Sequence, residues 1–329
     1  MSRAPAILAG VGALVLAAGA VMAPAGAARG WLIAFLYCSG PLMGAVVLRL
    51  IGRLTGGGWP QAPGLERLAG GAPWLLVLGA PVLALAGLIY PWAHGGAPAQ
   101  LSLYLSWGPF AARGLVVLGG WSLVAVRVTR QTGKPFEAGA LVFYGLSIGF
   151  AAVDFSLSTL PGWMTSAAGM ALAVHQLEGA LAVALLAGAA DARQERDLSG
   201  LLVATLLADA YFALMTYLVA WYGDQAPQTL WYRLRADPAW GWLMTAALVL
   251  GDGAPLLLLA IGRHWLGSRA GRAAGGLALI GLALQVLWSG LPQLGMAALV
   301  PAVAASALIG GLWLGALPRF KPRRPAHAA

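Results

Sequence analysis

The chain has 329 residues, 60 % of them hydrophobic and only 9 % charged, against about 25 % charged in an ordinary soluble domain. With a mean hydropathy of +0.79, that balance excludes a soluble enzyme and a disordered chain and points to a polytopic membrane protein. The formal charge of +9 is no nucleic-acid signature, because the basic residues sit in short loops between apolar runs.

Crossing about 30 Å of hydrocarbon takes about 20 helical residues. Ten runs meet that length, at 5–24, 30–52, 70–91, 103–127, 137–159, 162–190, 198–222, 238–262, 273–291 and 294–317. The first, with Arg3 before it and Ala25-Gly26-Ala27 after it, has the order of a signal peptide. Its apolar run exceeds a signal core, so a retained helix is predicted. The second contains Gly40–Gly44 and the fifth Gly145–Gly149. This glycine content produces that spacing about six times by chance, so neither pair carries weight. The ninth and tenth runs are divided only by Pro292-Gln293. The longest loops, 53–69 and 223–237, stay under twenty residues, too short for a soluble cofactor domain.

Ten spans put both termini on one side. That side collects Arg3, Arg49, Arg53, Arg67, Arg127, Arg130, Lys134, Arg193, Arg196, Arg263, Arg269, Arg272, Arg319, Lys321, Arg323 and Arg324. The other holds Arg29, Arg233 and Arg235. An asymmetry of sixteen to three predicts a multi-pass protein with both termini in the cytoplasm. Trp59, Trp74, Tyr90, Trp92, Trp107, Trp163, Trp221, Tyr222, Trp231, Tyr232, Trp240 and Trp242 mostly flank spans, as an interfacial belt does.

Six charged or titratable residues remain inside the apolar runs: Arg113, Asp154, His175, Glu178, Asp209 and Asp252. A charge at the bilayer centre costs about 2.5–3.5 kcal/mol on insertion scales, so each is a functional candidate. On the predicted boundaries Arg113 lies about 15 Å, and His175 and Glu178 about 20–24 Å, below the outer ends of their helices. His175 and Glu178, three apart, share a helix face and form a candidate proton couple. Asp154, His175, Glu178, Asp209 and Asp252 are therefore the predicted proton pathway, with Ser156, Ser158, Thr205 and Tyr211 as candidate bridging hydroxyls. Arg113 is the charge partner of one acid. No catalytic residue is predicted.

The single cysteine, Cys38, makes no internal disulfide, iron–sulfur cluster or c-type haem attachment. His94, His264 and His327 lie in loops or at span ends, which disfavours a bis-histidine haem. Gly56-Gly57-Gly58 lacks dinucleotide-fold spacing, and no phosphate-loop or zincin motif occurs. The chain is expected to bind no metal, haem or flavin of its own.

Several segments together resemble a known family. Leu54-Thr55-Gly56-Gly57-Gly58-Trp59 after a long apolar span, Leu88-Ile89-Tyr90-Pro91-Trp92-Ala93, and Arg113 in the fourth span come first. Tyr144-Gly145-Leu146, Val153-Asp154-Phe155-Ser156-Leu157-Ser158 and Pro161-Gly162-Trp163 follow. Trp221-Tyr222-Gly223, Trp231-Tyr232-Arg233 and Trp240-Gly241-Trp242 complete the order, so the likeness covers most of residues 30–265. In this order they resemble the ActF-like, NrfD-like membrane subunits of bacterial alternative complex III.

The resemblance implies an all-α integral membrane protein of two four-helix bundles, residues 30–160 and 161–292. A peripheral N-terminal helix (1–29) precedes them, and a last helix with a short basic tail (293–329) follows. It also implies a cofactor-free, non-catalytic subunit of a quinol:cytochrome c oxidoreductase in the bacterial inner membrane, suspected of carrying protons. Its expected partners are a related quinol-binding subunit, an iron–sulfur subunit, haem c subunits and a terminal oxidase, which supply the quinol site, iron–sulfur clusters and c-type haem. Where the family has histidines this chain has Gly52-Arg53 and Gly251-Asp252, leaving Asp252 as the replacement titratable group. Two other classes compete. A ten-helix proton-coupled exporter would show two similar halves, and 1–159 and 160–329 show none. A purely structural anchor for redox subunits needs no buried acids.

Overall fold

A computed structural model describes residues 3–130, 132–223, 226–262 and 267–316. Arg263, His264, Arg319, Lys321, Arg323, Arg324 and His327 lie outside the described residues. The chain is an all-α integral membrane protein, 87 % helical, with no strand among the described residues.

Ten described helices are long and apolar enough to cross a membrane: spans 1 (Arg3–Met22), 2 (Pro24–Thr55), 3 (Pro63–Ala84), 4 (Trp107–Val128), 5 (Lys134–Thr159), 6 (Ala168–Ala187), 7 (Ala192–Gly223), 8 (Pro238–Gly262), 9 (Ser268–Leu294) and 10 (Met296–Gly315). Span 2 is the axis of the fold, packing against spans 1, 3, 5, 6 and 10. Spans 3, 4 and 5 pack in sequence beside it, and span 6 gathers spans 7 and 9, with span 8 on span 9. Spans 1 and 10 pair with each other outside this set. One continuous apolar core runs from Ala28 to Ala302 through spans 2 to 10, so spans 2–5 and 6–9 share a core across the contact between spans 2 and 6.

Small residues make that contact close. A Cβ added at Gly44 would collide with the Gln176 carbonyl group of span 6, and Gly40 lies beside the same residue. Gly145 has open space around it. Gly40–Gly44 is thus a helix–helix contact, as close backbone approach in a membrane requires.

Several boundaries differ from the hydropathy reading, three of them for a clear local reason. Span 3 starts seven residues early, because Pro63 pre-sets the first helical turn and Leu65, Leu68 and Ala69 are buried there. Span 6 starts at Ala168 and not at 162, because Pro161 and Gly162, the latter at φ +98°, form a turn. Span 9 continues through Pro292 to Leu294 and ends at Gly295, φ +91°. The revised start of span 6 places His175 about 10 Å and Glu178 about 15 Å from its beginning at 1.5 Å per residue. Arg113 likewise lies about 9 Å from the start of span 4.

One end of the bundle carries most of the basic residues and is tied by them. Arg53 donates to the Val128 and Arg130 carbonyls and to Thr132 Oγ1, with Glu137 at 3.7 Å. Arg49 donates to the Pro60 carbonyl at 2.8 Å and pairs with Glu66 at 3.4 Å. At the opposite end Arg29 donates to the Leu88 and Leu294 carbonyls.

Candidate functional site

The six intramembrane residues resolve into two separate sites. In spans 4 and 5 the Arg113 guanidinium grips Asp154 in bidentate fashion, Nε to Oδ2 at 2.9 Å and Nη2 to Oδ1 at 2.8 Å. Nη2 also donates to the Tyr104 carbonyl, and the guanidinium lies 3.5 Å from the centre of the Tyr104 ring. Burial, and then the charge of Asp154, push the Tyr104 hydroxyl up to about 12. Ser158 Oγ donates to the backbone carbonyl of Asp154, not to its carboxylate. Arg113 is therefore the predicted charge partner, and the acid it neutralises is Asp154.

The other four residues come from spans 6, 7 and 8 and meet beside span 9. His175 Nε2 and Asp209 Oδ1 are 2.7 Å apart, and Gln285 Nε2 donates to Asp209 Oδ2 at 2.7 Å. The predicted couple of His175 with Glu178 does not form in this way, since the imidazole reaches sideways to the neighbouring helix and bonds Asp209. Glu178 lies one turn deeper, where it, Asp209 and Asp252 each place a carboxylate oxygen within 4.8 Å of the others. Glu178, Asp209 and Asp252 are 1 %, 3 % and 5 % exposed. Among the described residues no donor reaches Glu178 Oε2 or either carboxylate oxygen of Asp252.

Span 8 is distorted where it delivers Asp252. Residues Leu248–Gly253 form a π-helical turn, a feature that widens the helix and recurs at functional sites. Pro255, four residues after Gly251, has no N–H to give the Gly251 carbonyl, and its ring crowds that group. Gly251 and Gly281 touch backbone to backbone, and a Cβ on Gly251 would lie 2.6 Å from the Gly281 Cα. Asp252 is thereby held against span 9.

Above the cluster lies a cavity of about 750 Å³. His175, Asp209 and Gln285 line its inner end, and Trp231, Arg235, Trp288 and Gln293 line the end remote from the basic loops. Trp163 and Trp231 stack there at 4.7 Å, and Trp288 meets Trp231 edge-on at 4.9 Å. Trp163, Trp231 and also Trp92 are buried, so these rings pack within the protein, while the exposed Trp74, Trp107, Trp221, Tyr222 and Trp242 fit the interfacial belt. On the other side of the cluster, toward the basic end, Leu181, Leu198, Leu202 and Ala278 are fully buried in the core.

Arg235 is the residue that sequence reasoning missed. It is 6 % exposed and lies 3.6 Å over the Trp231 ring. Nε donates to the Trp288 carbonyl at 3.1 Å, and the other nitrogens reach the Trp231 and Ser289 carbonyls and Gln293 Oε1, each at 2.6 Å. The Trp288 carbonyl needs this donor because residue 292, its normal helical partner, is a proline. Burial pulls the guanidinium down to about 9, still above neutral pH, so it remains a cation. Pro292 inside an apolar run, which frees the carbonyl four residues before it for an outside donor, was the available signal.

Of the predicted bridging hydroxyls, Thr205 donates to the Leu202 carbonyl of its own helix. The Tyr211 side chain is exposed on the outside of the bundle. Ser158 is occupied as described, and Ser156 lines the cavity. No protein-family model and no curated protein matches the chain.

Proposed function

We propose that this chain is the proton-handling membrane subunit of a quinol-oxidising electron-transfer complex. The observation that carries the reading is the chain of His175, Asp209 and Gln285 at the foot of the cavity, with Glu178 and Asp252 directly behind. Histidine and carboxylate groups held at hydrogen-bond distance exchange protons at neutral pH, and a largely apolar cavity with His175, Asp209 and Gln285 in its wall reaches them from one face. The proton role falls on the cluster. Asp154, gripped through both oxygens by Arg113, serves as a structural counter-charge.

The segments that resemble NrfD-like subunits of alternative complex III support the placing in such a complex. In that setting a related quinol-binding subunit, an iron–sulfur subunit, haem c subunits and a terminal oxidase surround the chain, which carries none of their cofactors. The sixteen-to-three asymmetry of basic residues supports a bacterial inner-membrane location with cytoplasmic termini, so the cavity opens toward the periplasm.

Glu178→Gln tests the reading, because it keeps shape and hydrogen bonding but removes the titratable proton. In vesicles carrying the complete complex we expect protons moved per electron to fall by about half or more, a loss of the kind expected for a residue within a relay. Assembly and quinol oxidation should persist. An unchanged proton yield overturns the proposal.

The cavity favours a second reading. Its volume of about 750 Å³ falls within the roughly 300–1,000 Å³ of small-molecule pockets, which suits a proton-coupled exporter. Substrate-stimulated proton flux by the chain alone, with no redox partner, would select that reading.

A further inference from the structure

We propose that Glu178, Asp209 and Asp252 form a binding site for one hard divalent cation inside the second half of the bundle. The spacing is the first argument. Oxygen ligands at about 2.0–2.6 Å from Mg²⁺ or Ca²⁺ lie roughly 3–5 Å from one another, and the three carboxylates offer oxygens within 4.8 Å of one another.

The second argument is independent of the clustering. Glu178 Oε2 and both oxygens of Asp252 have no hydrogen-bond partner among the described residues, on side chains 1 % and 5 % exposed. A buried polar atom left unpaired costs about 1–3 kcal/mol, and more when charged. Asp209 has both oxygens engaged, by His175 and Gln285, as metal-binding carboxylates are commonly held by an outer shell. Its remaining lone pairs are open to an ion.

Charge completes the case. Three ionised carboxylates with oxygens within 4.8 Å of one another are balanced, among the described residues, by at most one imidazolium, His175, which leaves two negative charges for a divalent ion to neutralise. The donor set is all oxygen, which suits Mg²⁺, Mn²⁺ or Ca²⁺ in preference to zinc or copper. Its members come from spans 6, 7 and 8, so one ion joins three helices. The proposal departs from the expectation, drawn from the scarcity of cysteine and membrane-embedded histidine, that the chain binds no metal.

The inference does not rest on the proton role, and it is read without electron transfer. Purified full-length protein is titrated with Mn²⁺ and followed by electron paramagnetic resonance. We expect one Mn²⁺ per chain, displaced by Mg²⁺ or Ca²⁺, and at least tenfold weaker binding in Asp252→Asn and in Glu178→Gln. Asp197→Asn, in another part of the chain, should bind as the parent does. As a measurement needing no variant, dicyclohexylcarbodiimide modification of Glu178, located by mass spectrometry, should be suppressed by Mn²⁺. A wild-type chain with no stoichiometric Mn²⁺, as when protons alone fill the cluster, overturns the proposal. So does undiminished binding in both variants, or labelling of Glu178 that Mn²⁺ leaves unchanged. Loss of proton yield in Glu178→Gln with no Mn²⁺ bound by the parent would leave the proton role standing and remove only this site.

Discussion

One arginine answers one aspartate in the first half of the chain, while in the second half three carboxylates share one histidine. Arg113 fills both oxygens of Asp154 and is itself braced by Tyr104. In the cluster, both oxygens of Asp209 are bonded, while Glu178 and Asp252 keep oxygens with no partner among the described residues. Both sites bear the cost of burying charge. Only the first balances it within the protein, which marks it as architecture and leaves the second needing protons or a cation from outside.

Removing Arg113 should break this contrast most severely. Arg113→Met leaves Asp154 ionised without a partner, and we expect a loss of about 3 kcal/mol or more, as for one member of a buried pair. Thermal unfolding in detergent measures it, and the double variant Arg113→Met/Asp154→Asn should regain over half. A loss below about 1 kcal/mol, the scale of an exposed pair, would mean that the first site is not structural after all.

Gln285→Leu is the intermediate case, since it takes the donor from Asp209 Oδ2 while leaving His175 in place. An orphaned buried acceptor predicts about 1–3 kcal/mol of destabilisation in the same measurement. Asp252→Asn should do least. With no hydrogen bond to lose, it should fall within about 0.5 kcal/mol of the parent or stabilise it in the absence of divalent cations. A large loss there would show that Asp252 has a structural partner and would erase the difference between the sites.

Hydropathy located all ten spans and the six intramembrane residues, because both depend only on the order of residues along one helix. Which charges meet depends on how each helix is rotated against the next, and sequence spacing does not contain that rotation. His175 and Glu178 share a face, yet the imidazole bonds Asp209, thirty-four residues on. The glycine pairs teach the same lesson: Gly40–Gly44 and Gly145–Gly149 are alike as text, yet a Cβ on Gly44 would collide with the Gln176 backbone while one on Gly145 or Gly149 would meet open space. Some boundaries moved where a proline acted in its neighbourhood, setting the start of span 3 or being tolerated within span 9. Arg235 escaped notice for that last reason, since sorting loop arginines by side treats each as a topology marker and does not ask whether a proline elsewhere has freed a carbonyl.

The bond between Arg235 and the end of span 9 also constrains how the protein is made. Arg235 precedes its acceptors at Trp288 and Ser289 by 53 and 54 residues, so the ribosome delivers the guanidinium well before the carbonyls that neutralise its burial. Until span 9 emerges, that cation belongs in water or among lipid headgroups, where an arginine rests at little cost. The packing of Arg235 and Trp231 against Trp288 can therefore be completed only after span 9 has been made.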